Sequence, residues 1–462
     1  LDIRKIFENQ KRNNSIPSHK ERIEKIKNFL NFVLENKKEL AGAIYKDFGK
    51  SEEDVYLTEL LPFTLEARHA IKNLKNWLKP QRIKGTMALF GAKGKIQFRP
   101  KGVVLIISPW NYPFTLAAGP VISALAAGNK IILKPSEKTP HTSLFLKKLI
   151  SEIFPANETT VVLGGAETAK ELLKLPFDHV FFTGGTKIGS EIMKAAAENL
   201  TPVTLELGGK SPAIIDQSSD IKIAAEKITW GKLLNAGQTC IAPDYVLIRK
   251  NLLPEFIKEV KLNLNLMYNF KDGKFTNIQF CKIVNDESFE RLKYLLKDAL
   301  NYGANIAIGS ESINNNRVFP PTILTNVSLN SRIMKEEIFG PLLPVITFET
   351  IKEALEVISF NPNPLSFYIF SKRRNFINTL SENVNTGGIV INDVVINFIH
   401  TNLPFGGIKT SGLGKAHGYY GFVEFSNLTP VLKQFRLTPI KLLYPPYNNF
   451  KRLLIDFLLK HF

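Results

Sequence analysis

The sequence predicts an α/β protein with a doubly wound parallel sheet, followed by a second α/β unit that carries its own sheet. Three observations predict it. From residue 102 onward, short continuous apolar runs alternate with single helical stretches, as buried parallel strands joined by helical crossovers do. A second round of the same alternation starts after about residue 208. The loops that close the first set of runs, SPWN, KPSE, VLGG, FTGG and ELGG, fall where open α/β sheets bind ligands, beyond the carboxyl ends of the strands.

Residues 15–78 read as helical, because SHKERIEKIKNFLNFVLENKKELAGAIYKDF repeats apolar residues at three- and four-residue spacing. Leu78 to Pro80 ends that region. Over residues 80–101 the charged, glycine-containing piece RIKGTMALFGAKGKIQFRPKG suits a strand pair or arm outside the main core. Residues 102–129 contain no charged side chain and are long enough to raise the question of a membrane span. Pro109, Pro113, Pro120 and three glycines interrupt them, so a buried strand, a loop and a buried helix beginning near Phe114 is the better reading. The first unit continues through KIILKPS, the helix in HTSLFLKKLISEIF, TTVVLGG, AETAKELLKL, HVFFTGG, the helix in TKIGSEIMKAAAENL, and PVTLELGG. The second runs through SPAIID, a helix over 223–234, NAGQTCIAPDYV, YVLIRK, and helices near 254–264 and 286–302. FGPLLPVITF, LSFYIFS and TGGIVIND follow as its remaining strands. The cleft between the two units is the default site.

Composition narrows the chemistry. At 462 residues with 44% hydrophobic and 22% charged side chains, the chain has the make-up of a soluble protein of two or three domains. The net charge of +18 comes from lysines spread along the whole sequence, which suits solvated faces better than a nucleic-acid surface. Cys240 and Cys281 are too few for a disulfide framework, and no CxxC or HExxH spacing supplies metal ligands. A reducing, cytoplasmic setting and no metal are therefore expected. The opening LDIRKIFENQ resembles neither a secretory signal nor a transit peptide.

Three residues stand at the ends of predicted elements with side chains that suit covalent chemistry. Cys240 lies in NAGQTCIAPDYV, Glu206 ends an apolar strand before two glycines, and Asn111 sits between Trp110 and Tyr112 on a strand-end loop. A thiolate that attacks a carbonyl, an amide that holds the oxyanion and a carboxylate that activates water form a coherent set. Each also has a plainer reading: a packed thiol, a helix cap or lysine partner, and a turn residue. The glycine signal for a dinucleotide is irregular, since Gly184-Gly185-Thr186-Lys187-Ile188-Gly189 follows a strand and opens a helix without the GxGxxG spacing. A helix N-terminus there still offers N–H groups to a phosphate.

PWNYP, LKPSEKTP, FTGGTKIG, LELGGK, GQTC, EEIFGP and LPFGG, in this order, resemble the NAD(P)-dependent aldehyde dehydrogenase superfamily over nearly the whole chain. NAGQTCIAPDYV and LPFGGIKTSGLGKAHGYYGF resemble its class-3 and fatty aldehyde branch. The resemblance implies that Cys240 is the nucleophile, Glu206 the general base, and Asn111 the oxyanion donor together with the Cys240 N–H. It implies that Lys134 and Glu137 hold the adenosine ribose, with Trp110 on the same wall, and that Thr183, Gly184, Gly185 and Gly189 cradle the pyrophosphate. Glu337 and Phe339 would hold the nicotinamide ribose and ring. Gly185 stands where relatives outside this branch carry a serine, so one phosphate hydrogen bond is missing. Glu137 disfavours a 2′-phosphate by like charge, giving NAD preference over NADP with both usable. Tyr112, Trp230 and Phe398 would wall a tunnel for long-chain or aromatic aldehydes.

The implied architecture is aldehyde dehydrogenase-like: residues 1–79 and 102–207 as a Rossmann-type cofactor domain and 80–101 as a bridging, oligomerising arm. Residues 208–410 form the catalytic domain, 411–446 return to the first domain and the arm, and 447–462 are an amphipathic tail. The resemblance also implies a homodimer. In FKRLLIDFLLKHF the apolar run is too short to span a bilayer, and an interfacial helix giving peripheral membrane contact is one reading. The rivals to a hydrolytic dehydrogenase are a CoA-acylating or acyl-transferring thiol enzyme, which would have no use for Glu206, and a nonenzymatic lipid-surface protein. Cys281 reads as core, and His417 as a packed or surface histidine.

Overall fold

The computed structural model describes residues 2–85, 89, 92–271, 273–275, 280–310, 316–435 and 439–461. VVLII (Val103–Ile107) and KIILK (Lys130–Lys134) are buried along their whole length and pair in parallel, Val104 opposite Ile131. Runs apolar on both faces need a cover on both sides, which helical crossovers provide. A six-stranded sheet results, in the order 412–413, 203–207, 179–184, 103–107, 130–134, 159–161. Every pair in it is parallel except the edge strand Gly412–Leu413, which runs antiparallel beside Val203–Leu207.

The chain winds outward from 103–107 to 159–161, then crosses back to lay His179–Gly184 on the other side of the first strand, with Val104 opposite His179. At that reversal the carboxyl ends of two neighbouring strands diverge and leave a crevice. Trp110, Asn111 and Tyr112 follow the first of these strands, and Gly185 follows the second.

A seven-stranded sheet takes up the second half, in the order 305–308, 322–325, 342–348, 245–249, 212–215, 366–370, 388–391. It too is parallel but for one edge, Asn305–Ile308, which pairs antiparallel with Thr322–Thr325. Gln81–Ile83, Lys93–Pro100 and Ser426–Lys433 make a separate antiparallel sheet. Residues 86–88, 90 and 91 of the predicted arm, and Phe462 of the tail, lie outside the described residues.

The helical region begins earlier than the apolar spacing suggests. Ile3–Arg12 precedes it, and this helix buries only Phe7 and Gln10, too thin a stripe to read from sequence. His19–Glu35, Lys37–Phe48 and Leu61–Trp77 follow, and Phe63 meets Phe29 and Phe114 edge-to-face at 5.1 and 5.0 Å, joining the first and last of these helices to the start of Thr115–Ala127. Thr115–Ala127 is a buried helix of small and apolar residues, stopped by Gly128 at φ 90°. The uncharged stretch 102–129 is thus strand, loop and buried helix, and among the described residues no helix is long and apolar enough to cross a membrane. Asn449–His461 is helical and buries none of its side chains.

Candidate active site

Cys240 follows an unusual turn. After the helix Ile221–Leu233, Asn235, Ala236 and Gly237 all take positive φ, at 54°, 54° and 76°. Only glycine fits the third position, because a Cβ on Gly237 would lie 2.3 Å from the Gly340 oxygen. A left-handed alanine costs about 1 kcal/mol, so the turn needs bracing. Asn235 Nδ2 donates to the oxygens of Asn111 (2.7 Å) and Gln238 (3.2 Å). Gln238 Nε2 donates to the oxygens of Asn235 (3.0 Å) and Lys282 (3.1 Å), and its Oε1 accepts the Val284 N–H (3.0 Å). Cys281 is buried beneath, its thiol 3.7 Å from Asn235 Oδ1, so it belongs to the core.

The same bracing reaches the Asn111 loop. Asn111 is buried, and its Nδ2 donates to the Gln238 oxygen at 3.1 Å. A primary amide carries two N–H groups, so that bond orients the side chain and leaves a second donor. Tyr112 Oη lies 2.6 Å from Thr239 Oγ1, one residue before Cys240.

Glu206 sits on Val203–Leu207, level with Thr183 on one side and Gly412 on the other. Both its carboxyl oxygens are buried and have no hydrogen-bond partner among the described residues. Burial pushes its pKa well above the ordinary carboxylate value; Lys415 pulls against that shift and Glu424 adds to it. Burial likewise pushes the Cys240 thiol up, helped by the charges of Glu337 and Glu206, while backbone N–H groups of Cys240 and Ile241 pull it down. Burial, then the charge of Asp244, raises Glu337 to about 8.

Glu206 and Cys240 line one cavity together, with Thr183, Phe398, Phe405 and His417 among its other walls. Cys240 also lines a second, largely apolar cavity with Tyr112, Trp230, Phe398, Leu57 and Ile396. The three tunnel residues named from the sequence thus share one wall system with the thiol. Sequence reasoning missed Leu57, Leu61, Val395 and Ile396; on their own elements their spacing is that of ordinary core residues. His417, read from the sequence as a packed or surface histidine, is packed and half-buried: its ring stacks on Phe405 at 5.1 Å and meets Phe398 edge-on at 4.6 Å.

The predicted cofactor residues gather at the crevice. Lys134 Nζ donates to Glu137 Oε2 at 3.2 Å and to the Pro135 oxygen at 3.0 Å. Trp110 meets Phe339 edge-on at 5.3 Å, so its described ring contact is with the predicted nicotinamide side. Gly185 caps Thr186–Ala197 with no side-chain hydrogen bond, and a Cβ built on it meets nothing within 4 Å. Gly189 lets that helix approach the sheet, since a Cβ there would lie 2.6 Å from Leu207. Thr183 and Gly184 end the strand between them. A Cβ on Gly208 would strike Glu337 Oε2, and Glu337 Oε1 is a buried acceptor without a partner among the described residues. Buried Lys210 ties the two loops together by its ion pair with Asp244 and by bonds to the oxygens of Ile333 (2.7 Å) and Glu336 (3.0 Å). An uncapped helix N-terminus over open space, an ionic pair at a strand end and an orphaned carboxyl oxygen fit a dinucleotide's phosphates and ribose hydroxyls. Among the described residues no cluster of side chains could hold a metal ion.

A thiol and a carboxyl group facing one cavity, beside a nucleotide-type crevice, define a dinucleotide-dependent enzyme that works through a cysteine. The chain belongs to the aldehyde dehydrogenase family, whose sequence model matches residues 8–431. It is 40% identical to the 4,4'-diaponeurosporen-aldehyde dehydrogenase of Staphylococcus aureus over 454 residues, covering 96% of this chain and 95% of that one. It is 39% identical to aldehyde dehydrogenase family 3 member A2 of Pongo abelii over 449 residues, 96% and 90% of the two chains. A solved structure described as the substrate-bound state of Staphylococcus aureus AldH superposes with a TM-score of 0.94 at 38% identity, covering 99% of this chain and 100% of that one. The protein is an NAD(P)-dependent oxidoreductase that converts aldehydes to carboxylic acids.

Proposed function

We propose that this chain oxidises medium- to long-chain or aromatic aldehydes by covalent catalysis at Cys240. The observation that carries the reading is the double position of Cys240, which lines both the cavity of Glu206 and the apolar channel of Tyr112, Trp230 and Phe398. An aldehyde with its tail in that channel presents its carbonyl carbon to the sulfur. The thiol gives up its proton to solvent in the cavity as the carbon–sulfur bond forms, and the second N–H of Asn111 and the Cys240 N–H hold the oxyanion. A bound nicotinamide supplies the hydride acceptor. Trp110, Lys134, Glu137, Thr183, Gly184, Gly185, Gly189, Glu337 and Phe339 are the residues that would hold that cofactor. Glu206, with both oxygens free, then takes a proton from water as it attacks the thioester. A base so placed supports hydrolysis over transfer to a second thiol. Rates of nicotinamide reduction with aldehydes of increasing length test the substrate class: rising kcat/KM with chain length supports the channel, and preference for two- or three-carbon aldehydes contradicts it.

Asn111→Ala is expected to lower turnover by about two orders of magnitude, since one oxyanion donor contributes roughly 3 kcal/mol in comparable sites. Steady-state kinetics at saturating aldehyde check this, and parental kcat would remove Asn111 from the mechanism.

For the cofactor we infer NAD before NADP, because the Glu137 carboxylate would face a 2′-phosphate with like charge. Glu137→Gln is expected to raise kcat/KM with NADP+ by about tenfold and to change that with NAD+ little, a discrimination of ~1.4 kcal/mol. An unchanged NADP+ value would show that the charge is screened out of the selection.

We further propose the division into cofactor domain (1–79 and 102–207), arm (80–101), catalytic domain (208–410), return (411–446) and tail (447–462). The six-, seven- and three-stranded sheets support it. A homodimer is supported by the strand Ser426–Lys433, an edge of the small sheet with Leu428 and Leu432 exposed. The tail helix exposes Phe450, Leu453, Phe457 and Leu459 beside Lys451, Arg452 and Lys460, which supports peripheral contact with an anionic membrane from the cytoplasmic side. Deleting residues 447–462 is expected to abolish co-sedimentation with anionic vesicles; unchanged sedimentation contradicts it.

A further inference from the structure

Lys50 and Glu59 are both fully buried, with Lys50 Nζ 3.5 Å from Glu59 Oε1. Neither carries a role in the reaction above. A buried ion pair contributes little net stability, and apolar residues of the same size would commonly serve as well or better. Its position is therefore informative. Glu59 lies in a π-helical turn, Tyr56–Leu60, set between Glu52–Val55 and Leu61–Trp77. Such turns carry an extra residue and rotate side chains away from the regular helical faces. Here Leu57 and Thr58 line the apolar channel, and Glu59 turns into the core.

Both partners reach the loop that carries Asn111. Glu59 Oε2 accepts the N–H groups of Phe114 (3.2 Å) and Thr115 (2.8 Å). Those belong to the start of Thr115–Ala127, a helix with no side-chain cap of its own, so Glu59 caps it from another helix. Lys50 Nζ stands 4.3 Å from the centroid of the Tyr112 ring, whose hydroxyl meets Thr239 next to Cys240. Asn111 is thus followed directly by a ring held from Lys50 and then by a backbone held from Glu59.

We propose that the Lys50–Glu59 pair is a positioning device for the oxyanion hole, fixing the backbone at Phe114 and Thr115 and the ring of Tyr112 so that Asn111 presents its amide correctly. The inference rests on the reading of Asn111 as oxyanion donor. Neither residue touches the reacting atoms, so both are positioning residues.

The test compares two reactions of the Cys240 thiol in the full-length protein. Acylation by 4-nitrophenyl acetate passes through an oxyanion; alkylation by iodoacetamide does not. Glu59→Ala is expected to slow acylation by about tenfold to a hundredfold and to leave alkylation unchanged. Glu59→Gln keeps an oxygen that accepts from Thr115 and is expected to recover most of the acylation rate. Where Glu59→Ala does not fold, Glu59→Asp, one methylene short of the loop, takes its place in both reactions. Parental acylation, or equal losses in acylation and alkylation, would overturn the proposal. Asn111→Ala is measured alongside. Slow acylation there with a parental rate in Glu59→Ala sinks the clamp alone, whereas parental acylation in Asn111→Ala sinks the oxyanion reading itself.

Discussion

Replacing Cys240 by alanine lowers aldehyde-dependent reduction of NAD+ by on the order of 10⁴-fold or more, the loss expected when a covalent route has no nucleophile. Cys240 is the thiol that lines both cavities, and Cys281 is tucked against Asn235 in the core, so no second sulfur stands ready to replace it. The fold should barely notice. The turn before Cys240 is braced by the side chains of Asn235 and Gln238, and the thiol takes no part in those bonds. The thermal midpoint therefore stays within a few degrees of the parent, consistent with about 1 kcal/mol for a small truncation. A large fall in the midpoint would show that the sulfur also holds the turn together.

Glu206→Gln slows turnover by about a hundredfold to ten-thousandfold, because glutamine cannot take a proton from water. It also changes two pH dependences. In the parent, the base works only when ionised, and its raised pKa places the acidic limb of kcat well above the ordinary carboxylate range. The variant loses that limb. For stability the sign runs the other way. A folded-state pKa above the unfolded value of about 4.3 means that the native state holds the extra proton between those two values. Parental stability is thus full at acidic pH and falls as pH rises through that window. Glutamine removes the penalty, so the variant's melting temperature exceeds the parent's at pH 8 and the gap closes toward pH 4. A gap that is constant with pH would mean Glu206 is not a buried, titrating acid. Glu337, raised to about 8, works in the same direction and belongs to the same trade of stability for a site.

Much of this architecture is legible in the sequence because parallel strands buried on both faces have no polar face to disguise them. VVLII and KIILK announce themselves. The strands Asn305–Ile308 and Thr322–Thr325 escape notice, since NIAI is half exposed and the polar segment around 310–317 separates it from TILT. The antiparallel pair Gly412–Leu413 is too short to carry any pattern. Among site residues, Cys240, Glu206 and Asn111 stand out because each is a chemically active group in an apolar or glycine-rich setting. Lys50 and Glu59 do not stand out. In a lysine-rich helical region they look like solvated charges, and only the π-helical turn, invisible in residue spacing, sends Glu59 inward. The left-handed Asn235–Ala236–Gly237 turn was hidden for a similar reason, as only its glycine signals it.

In the proposed reaction the aldehyde becomes a thioester on Cys240 before Glu206 directs water to it. The most direct measurement is to mix the Glu206→Gln variant with NAD+ and octanal, quench, digest and weigh the peptides. One equivalent of reduced nicotinamide per chain is expected, with an octanoyl group on the peptide that carries Cys240. Reduced nicotinamide without that adduct, or an octanoyl group on Cys281 instead, would contradict it.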